Sequence, residues 1–529
     1  MSEAPAALPA AELLARSAAR WPERAAVIAD GRSMNFRELD RAASRLAAAL
    51  AAAGLGQGHT VAILSPNRLE YPIFHMGAAR AGALQAHFSI RYTADDLVYA
   101  IDKVAAEALF VDGVSADGGL LANVRAARPR TPSLETVVVL GTPAEPLRAG
   151  EIGWDAFQAG AGDRPPQVAI APEDPFCITF TGGTTGFPKG VLATHGARSV
   201  IAQVVAGPFE LTPRDVAVLA TPMFHLAGLS SWFYSAMAAG TAVALLPRWD
   251  PAAFIAAVER ERATMGFLVP TMIAGVLNDP GFAPARLAGL RLLNYGGAPM
   301  PVALLERALD RLPRLRMLDH YGQSEGGALA YRPPERARDK PTSNGIPFAC
   351  VEMAFMAPDG RRLGEGEIGE LCVKGPQVCA GYYREPEQTA ALFTRDGWLK
   401  TGDVGYRDGE GFLFLVDRAK DMIIAGGENI YPAEIENALF QHPAVRECAV
   451  FGIPDEHWGE VPAAHVVLAA GAGAKLTPEA LADFVAQRIA RHKRPRLVKF
   501  VDALPKTAIG KVQKNLIRKP YWRGRAREI

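Results

Sequence analysis

The sequence predicts a multidomain α/β protein, and two observations carry this prediction. Short apolar runs typical of buried strands recur along the chain, and segments with apolar residues at helical spacing separate them. A chain of 529 residues also exceeds what one ordinary hydrophobic core accommodates, so we expect at least two domains. Alternation of this kind favours layered sheets of largely parallel strands, covered by helices.

The first 180 residues show the alternation most clearly. The predicted elements are a helix at 36–53, a strand at 60–64, a helix at 69–81, and strands at 108–111, 136–140 and 176–180. Residues 140–171 are rich in Gly, Pro and Ala, which predicts a surface connection between the last two strands.

The rest of the chain divides into three parts. Strands are predicted at 216–220, 291–295, 316–320 and 411–416. The alternating pattern between 366 and 383 favours a smaller, β-rich subdomain. Residues 421–529 indicate a compact α+β piece, with helices at 432–440 and 478–489 and strands at 445–451 and 463–469.

Composition excludes several classes of protein. A net charge of +1 offers no reason to expect nucleic acid as a partner. The five cysteines are scattered and form no C-x-x-C pair, which favours a reducing compartment and argues against a disulfide framework or a zinc site. The N-terminus lacks the pattern of a signal peptide, and no run of about 18 uncharged apolar residues indicates a membrane span. We therefore expect a soluble cytoplasmic protein without an integral membrane segment.

The segment from Phe180 to Val191 is the most informative part of the sequence. Four glycines, three threonines and one lysine follow a predicted strand. Glycines let backbone N–H groups approach a ligand, threonines add hydroxyl donors and Lys189 adds a positive charge, so the loop is suited to a polyphosphate. It is not a Walker A loop, because Lys189 follows Pro188 and no Ser or Thr comes after it. The alternative is an ordinary Gly-rich hairpin turn, which needs neither the threonines nor the lysine.

This loop resembles the phosphate-loop signature of the adenylate-forming superfamily. That superfamily includes acyl-CoA synthetases, luciferases and the adenylation domains of peptide synthetases. The resemblance implies that Thr181 and Thr184 are catalytic, that Thr181 also faces a metal ion, and that ATP or AMP contacts the loop. The implied contacts are Thr181, Gly182, Gly183, Thr184, Thr185, Gly186 and Lys189.

A second motif runs from Tyr321 to Glu325. Tyr321 offers a face for stacking on adenine, Ser324 a hydroxyl, and Glu325 a hard carboxylate oxygen suited to Mg²⁺. The segment resembles the superfamily's Tyr-Gly-x-Thr/Ser-Glu motif, which implies nucleotide contacts from His320, Tyr321, Gly322, Gln323 and Ser324 and a catalytic, metal-binding role for Glu325. Gly322 to Gly326 also satisfies G-x-S-x-G, the nucleophile elbow of α/β-hydrolases. An elbow needs a following helix, which the prolines at 333 and 334 would interrupt.

The resemblance also implies an acyl site. His225, which by itself could be an ordinary core histidine, matches a catalytic residue between the acyl site and the route taken by CoA. Gly297, Ala298 and Pro299 match a segment that borders the nucleotide. The implied acyl- and CoA-binding residues are His225, Leu226, Ser231, Trp232, Tyr295, Gly296, Gly326, Gly426 and Gly427. The pocket around Leu226, Trp232, Tyr295, Ala298 and Gly326 is apolar with no evident cation, which favours a fatty or aromatic monocarboxylate over a dicarboxylate.

Four further positions complete the match. Asp403, which alone would suggest an Asx turn, corresponds to the aspartate that holds the ribose, and Arg418 lies near ribose and phosphate. Lys420 corresponds to the interdomain hinge and Lys511 to the catalytic lysine that contacts the nucleotide. The implied domains are a large N-terminal domain (1–416), a hinge (417–420) and a small mobile C-terminal domain (421–529).

The implied activity is ATP- and Mg²⁺-dependent activation of a carboxylic acid to an acyl-adenylate, followed by thioester formation with coenzyme A. Transfer to a carrier-protein thiol, a luciferase-like oxygenase and a G-x-S-x-G esterase remain as alternatives. The acid itself and the oligomeric state, with a homodimer among the options, stay open.

Overall fold

The computed structural model describes residues 5–114, 119–181, 188–418, 421–425, 428–469, 476–507 and 512–523. Up to residue 157 the elements are α1 (Ala11–Arg20), β1 (Ala25–Ala29), β2 (Arg32–Asn35), α2 (Phe36–Ala52), β3 (Thr60–Leu64), α3 (Glu70–Ala81), β4 (Leu84–His87), α4 (Ala94–Val104), β5 (Ala108–Asp112), α5 (Gly119–Ala127), β6 (Thr136–Leu140), β7 (Glu151–Gly153) and α6 (Trp154–Phe157).

The middle of the chain continues the alternation. Its elements are β8 (Pro175–Thr181), β9 (Lys189–Thr194), α7 (His195–Ala206), β10 (Val216–Leu219), a π-helix (Ala227–Tyr234), α8 (Ser235–Ala239), β11 (Ala242–Leu245), α9 (Pro251–Arg260), β12 (Met265–Leu268), α10 (Pro270–Asn278), β13 (Leu292–Gly296), α11 (Val302–Arg311), β14 (Arg316–Gln323) and β15 (Gly327–Arg332).

Shorter strands dominate the last third. They and the remaining helices are β16 (Ile346–Pro347), β17 (Glu352–Met356), β18 (Gly369–Lys374), β19 (Gly381–Tyr382), α12 (Pro386–Leu392), β20 (Leu399–Arg407), β21 (Leu413–Arg418), β22 (Ile423–Ala425), β23 (Glu428–Ile430), α13 (Pro432–Phe440), β24 (Val445–Asp455), β25 (Gly459–Leu468), α14 (Pro478–Ala486), β26 (Leu497–Phe500) and α15 (Lys514–Trp522).

Two large sheets form the N-terminal part. One has eight strands in the order β19-β9-β8-β4-β3-β5-β6-β7, and the other has nine in the order β16-β15-β14-β13-β12-β10-β11-β1-β2. The central pairings of both are parallel, as predicted, and the antiparallel strands lie at or near the edges. One hydrophobic core includes side chains of both sheets and of helices α2, α3 and α7. The predicted fold class, layered α/β with a smaller β-rich part, is confirmed.

The smaller sheets follow in the chain. Strands β17-β18-β20-β21 form an antiparallel sheet, which is the predicted β-rich subdomain. After residue 422 a five-stranded sheet packs with α13, α14 and α15 around two cores that contain only C-terminal side chains. No helix among the described residues is long and apolar enough to cross a membrane.

Local chemistry explains where the helices begin. Asn35 and Glu38 form a reciprocal capping box at the start of α2, and Thr93 and Asp96 do the same for α4. Two features differ from the prediction. The connection at 140–171 contains the short β7, which extends the eight-stranded sheet, and β14 continues through Tyr321 to Gln323.

Buried histidines make the fold sensitive to acid. Burial lowers the pKa of His87 to about 3 and the pKa values of His195 and His320 to about 4. Because each folded-state pKa lies below the unfolded value of 6.5, the stabilisation is present above pH 6.5 and is lost as pH falls towards 4. We expect His320→Phe to reduce the loss of unfolding free energy between pH 6.5 and 4 by up to about 3 kcal/mol. Urea titrations across this range measure the slope, and an unchanged slope would contradict the assignment.

Candidate active site

The predicted phosphate loop is flanked by described residues at the carboxyl edge of the eight-stranded sheet. Strand β8 ends at Thr181 and β9 begins at Lys189, and these two partly exposed residues pair across the antiparallel ladder. This edge is where open α/β sheets bind ligands. Predicted residues of the loop itself lie outside the described part of the chain, and these are Gly182, Gly183, Thr184, Thr185 and Gly186.

A tyrosine that the sequence analysis missed joins Lys189 to Glu325. The Lys189 ammonium lies 4.7 Å from the centroid of the Tyr382 ring. The Tyr382 hydroxyl donates a hydrogen bond of 2.9 Å to Oε1 of Glu325. Burial and the neighbouring Glu325 carboxylate raise the pKa of Tyr382 well above its usual value, so the hydroxyl remains a donor. Strand β19 places Tyr382 here by pairing with β9, a long-range contact that local pattern does not reveal.

Glu325 fits a magnesium ion that is held mainly by phosphate oxygens and water. Its side chain is partly exposed, and Oε2 accepts no hydrogen bond from the described residues. Mg²⁺ in phosphate-transfer sites commonly takes one or two carboxylates and completes its shell with water and substrate. Consistent with this sparse arrangement, the described residues contain no group of three or more His, Cys, Asp or Glu that could hold a metal alone.

Asp403 is held between two parts of the N-terminal fold. The Tyr321 hydroxyl donates a 2.5 Å hydrogen bond to Oδ2, and the Arg418 guanidinium lies 3.1 Å from Oδ1. Strands β20 and β21 pair Asp403 with Arg418 directly. The carboxylate is buried and fixed by two charged or strongly polar donors, an arrangement that suits recognition of a diol. Sequence separation hid the contact between Tyr321 and Asp403.

Removing the charge of Asp403 should weaken nucleotide binding. We expect Asp403→Asn to raise the KM for ATP about tenfold, because one hydrogen bond to a charged group is lost and Arg418 loses its counter-ion. The exposed Asp396→Asn serves as a matched control and should leave KM unchanged. Steady-state pyrophosphate release measures both variants, and equal KM values would remove Asp403 from the nucleotide site.

The acyl-site candidates gather after β10. His225 is partly exposed, and burial of its ring lowers its pKa to about 4, so it is neutral near pH 7. The π-helix starts two residues later, and such wide turns often mark functional sites. A side chain at Gly228 would collide with the backbone of Pro222. Leu226 is buried, and so is Trp232, whose ring lies 5.4 Å from Phe209.

A second group of candidates lies where β13 and β14 end. These strands pair in parallel, with Gly296 beside His320. Any Cβ on Gly296 would collide with the His320 carbonyl oxygen, so the position requires glycine. Gly297 adopts a φ of +78°, and Ala298 and Pro299 follow it at the same edge.

One residue predicted to line the pocket, Tyr295, lies beside a buried cation. The side chain of Tyr295 is fully buried, and its hydroxyl accepts a hydrogen bond from the buried guanidinium of Arg332. Arg332 lies opposite Asp319 in the β14–β15 ladder. The cation on Arg332 therefore lies next to the hydroxyl of Tyr295, with Asp319 as its neighbour across the ladder.

The hydrolase interpretation fails on topology. Ser324 and Gly326 lie in the turn between β14 and the antiparallel β15, and Gln323 pairs with Gly327 across it. No helix follows the serine, so the strand–turn–helix geometry of a nucleophile elbow is absent here. Gly322 is confined by the same hairpin, because a side chain there would collide with the Gly327 carbonyl.

The C-terminal part approaches the same edge. Arg91 follows β4, the parallel neighbour of β8, and donates a hydrogen bond of 3.2 Å to the Lys506 carbonyl. Lys506 and Val512 form a β-bridge, and residues 508–511 lie outside the described part. Also outside it are the predicted residues Lys420, Gly426, Gly427 and Lys511. The residues that flank Lys511 in sequence therefore lie near the predicted phosphate loop.

Known proteins share this architecture. Two family models match, "AMP-binding enzyme" over residues 14–383 and "AMP-binding enzyme C-terminal domain" over 434–511. The chain is 38% identical over 512 residues to a feruloyl-CoA synthase of Amycolatopsis sp., covering 96% of this chain and 98% of that one. It is 33% identical to 4-coumarate–CoA ligase 2 of Oryza sativa subsp. japonica, covering 97% and 92%. The ATP-bound structure of MatB from Rhodopseudomonas palustris superposes with a TM-score of 0.86 at 29% identity, covering 97% and 99%. The chain therefore belongs to the AMP-binding, adenylate-forming family of enzymes.

Proposed function

We propose that this enzyme joins an aromatic or fatty carboxylic acid to coenzyme A in two steps that share one site. The acid and ATP first form an acyl-adenylate and pyrophosphate. The CoA thiol then attacks the acyl carbon and displaces AMP. The observation that carries the proposal is family membership over nearly the whole length of named CoA ligases, together with a carboxylate-and-lysine cluster beside the predicted phosphate loop.

Adenylation solves a leaving-group problem. A free carboxylate would have to expel oxide, whereas an acyl-adenylate expels AMP. The carboxylate oxygen attacks the α-phosphate, so negative charge accumulates on the departing pyrophosphate. Lys189 and the hydroxyl of Thr181 are placed to stabilise that charge. Mg²⁺ bound at Glu325 would add Lewis-acid stabilisation of the phosphate oxygens.

His225 suits a role that needs a ring without charge. Its lowered pKa keeps the imidazole neutral near pH 7, so it can separate the acyl site from the CoA route without attracting phosphates. Asp403 and Arg418 would hold the ribose of the nucleotide in both steps. The acyl group would then be the part of the intermediate that changes its bonding partner.

Aromatic acids are the first choice of substrate. Feruloyl-CoA synthase and 4-coumarate–CoA ligase act on ring-bearing acids by their names, and each covers more than nine-tenths of this chain. The ring of Trp232 lies 5.4 Å from that of Phe209 and 5.8 Å from that of Phe267, and this group would offer an apolar wall. A carrier-protein thiol is the second candidate for the acyl acceptor. Pyrophosphate release measured with and without CoA distinguishes it from CoA.

The remaining assignments extend the proposal. Residues 417–420 form the hinge between domains 1–416 and 421–529, supported by separate hydrophobic cores on the two sides. The enzyme works in the cytoplasm, supported by five cysteines that are all free. A homodimer stays a prediction, which sedimentation at several protein concentrations tests.

Stiffening the hinge should separate the two steps. We expect Lys420→Pro to slow thioester formation at least about tenfold, a barrier increase of about 1.4 kcal/mol, because proline restricts backbone rotation between the domains. Adenylation, measured by pyrophosphate release without CoA, should change little. Equal losses in both half-reactions would show that residue 420 is not the hinge.

The test of the whole proposal is pyrophosphate release from MgATP with short, medium and long fatty acids and with aryl acids, each with and without CoA. Release with some acid, strengthened by CoA and accompanied by AMP, supports the ligase. Release that ignores CoA favours a carrier-protein thiol. No release with any acid overturns the proposal.

A further inference from the structure

A group of buried polar side chains lies on β4, on β8 and on the helices packed against them, near the end of β8. In the parallel ladder of β4 and β8, Gln85 pairs with Cys177 and His87 pairs with Thr179, so all four side chains project from one face. His75 of α3, Arg198 of α7 and Tyr234 of the π-helix complete the group, which we call the distal cluster. Its rings pack closely, with His75 lying 5.0 Å from both His87 and Tyr234.

Many buried polar atoms of the distal cluster have no hydrogen-bond partner among the described residues. His75 bonds to Gln85 through Nδ1 at 2.5 Å, and His87 bonds to Tyr71 through Nδ1 at 2.8 Å. Several atoms that face the interior have no partner among the described residues, namely Nε2 of His75 and His87, Oγ1 of Thr179, the hydroxyls of Tyr234 and Ser235, and all three guanidinium nitrogens of Arg198. Buried polar groups are nearly always satisfied in native proteins, so this concentration indicates a missing partner.

Arg198 makes the missing partner an anion or a strong acceptor. Its side chain is fully buried. The other buried arginines have partners, since Arg332 donates to the carbonyl of Lys340 at 2.7 Å and the Arg518 guanidinium lies 3.9 Å from a carboxylate oxygen of Glu460. Among the described residues Arg198 forms no ion pair, and the polar group that faces it most directly is the thiol of Cys177, which stays neutral because burial raises its pKa. Burying a guanidinium without a counter-charge costs much free energy, and a bound anion or strong acceptor would remove that cost. We therefore interpret the buried, unpaired Arg198 as part of a binding site.

The distal cluster includes residues that lie close along the chain to the predicted acyl site. Thr179 lies two residues before Thr181 on β8, which is about 7 Å along a strand. Tyr234 and Ser235 lie one helical turn after Ser231, a predicted acyl-pocket residue, and α7 packs against this π-helix. An acid whose carboxylate reacts beside Thr181 therefore points its far end inward, towards Arg198.

We propose that Arg198 is a specificity-determining residue that binds an oxygen acceptor, a second carboxylate or a phenol oxygen, at the end of the acid opposite the reacting carboxylate. The inference rests on the proposed function and narrows it to ring-bearing acids with a polar far end. It adds a cation to the predicted pocket, which the sequence alone indicated to be apolar.

Three para-substituted cinnamic acids test the proposal on the full-length enzyme with MgATP and CoA: 4-carboxycinnamate, 4-hydroxycinnamate and 4-methylcinnamate, of which the last two have the same length. For the wild type, we expect kcat/KM for one of the two oxygen-bearing acids to exceed that for the methyl acid at least about tenfold. Arg198→Met should lower that ratio about tenfold to a hundredfold while activity on the methyl acid is kept. Preference for the carboxylate or for the phenol identifies which oxygen the subsite takes.

The remaining outcomes contradict the inference. Pyrophosphate release with a wild-type preference for the methyl acid, or with a ratio that Arg198→Met leaves unchanged, overturns it and leaves the proposed function intact. No release with any acid overturns both. If Arg198→Met does not fold, the wild-type ratio decides, and Arg198→Lys, which keeps a charge without the planar fork, should give an intermediate ratio.

Discussion

Lys511→Ala is expected to slow acyl-adenylate formation about a hundredfold to a thousandfold, the range seen when one group that stabilises transition-state charge is removed. A lysine on a loop can reach the α-phosphate as a point charge while the acid attacks. The position of Lys506, five residues earlier in the chain, supports this role, because its carbonyl accepts a hydrogen bond from Arg91, which follows β4, the neighbour of β8. Supplied acyl-adenylate should still be converted to thioester at close to the wild-type rate.

The two half-reactions make the Lys511 experiment decisive. Pyrophosphate release without CoA reports the first step, and thioester formation from synthetic acyl-adenylate reports the second. Lys506→Ala is the matched control, since this lysine is paired with Glu447 at 2.7 Å within the C-terminal part. A Lys511 variant that loses both half-reactions equally would point to a structural role.

Glu325→Gln should have the second largest effect. The substitution keeps the shape of the side chain and an oxygen for the Tyr382 hydroxyl, but it removes the negative charge that suits Mg²⁺. We expect pyrophosphate release to fall about a hundredfold, in the range found when groups that support a metal are altered. The Mg²⁺ concentration for half-maximal rate should rise as well.

Two controls separate the charge of Glu325 from its surroundings. The exposed Glu387→Gln changes the same charge away from the cluster and should leave the Mg²⁺ dependence unchanged. Tyr382→Phe removes only the 2.9 Å hydrogen bond and should lose about tenfold at most. A Glu325→Gln enzyme with normal Mg²⁺ dependence would exclude this carboxylate as the metal ligand.

The strands were the part of the fold most readily predicted. Strands of a parallel sheet are buried on both faces, so their sequences are continuous apolar runs. Residues 60–64 and 136–140 are strands with those bounds, and 108–111 extends by one residue. Helix α1, rich in alanine, and α15, basic and containing Pro520, carry weak local signals and were missed. The π-helix was missed for a different reason, since its wide turn depends on Gly228 packing against Pro222.

The residues of the candidate site also fall into two groups, those predicted from short motifs and those that the sequence analysis missed. Short motifs identified Thr181, Lys189 and Glu325, because each role depends on neighbouring residues in sequence. Partners that come from distant strands stayed hidden. Tyr382 and Arg198 are single residues within unremarkable segments, and they are positioned by the pairing of β19 with β9 and by the packing of α7 against the π-helix. Local sequence patterns carry no information about contacts between segments that are far apart in the chain.

The ion pair between Arg418 and Asp403 joins the nucleotide pocket to the start of the proposed hinge. Arg418 is the last residue of β21, and its carbonyl accepts hydrogen bonds from the amides of Asp421 and Met422, at 2.9 and 3.1 Å, on the far side of residue 420. Asp403 thus contacts the last residue of β21, directly before the proposed point of domain rotation. If a ribose binds this carboxylate, as we propose, its contact with Arg418 changes too, and loss of AMP would then be coupled to rotation of the C-terminal domain.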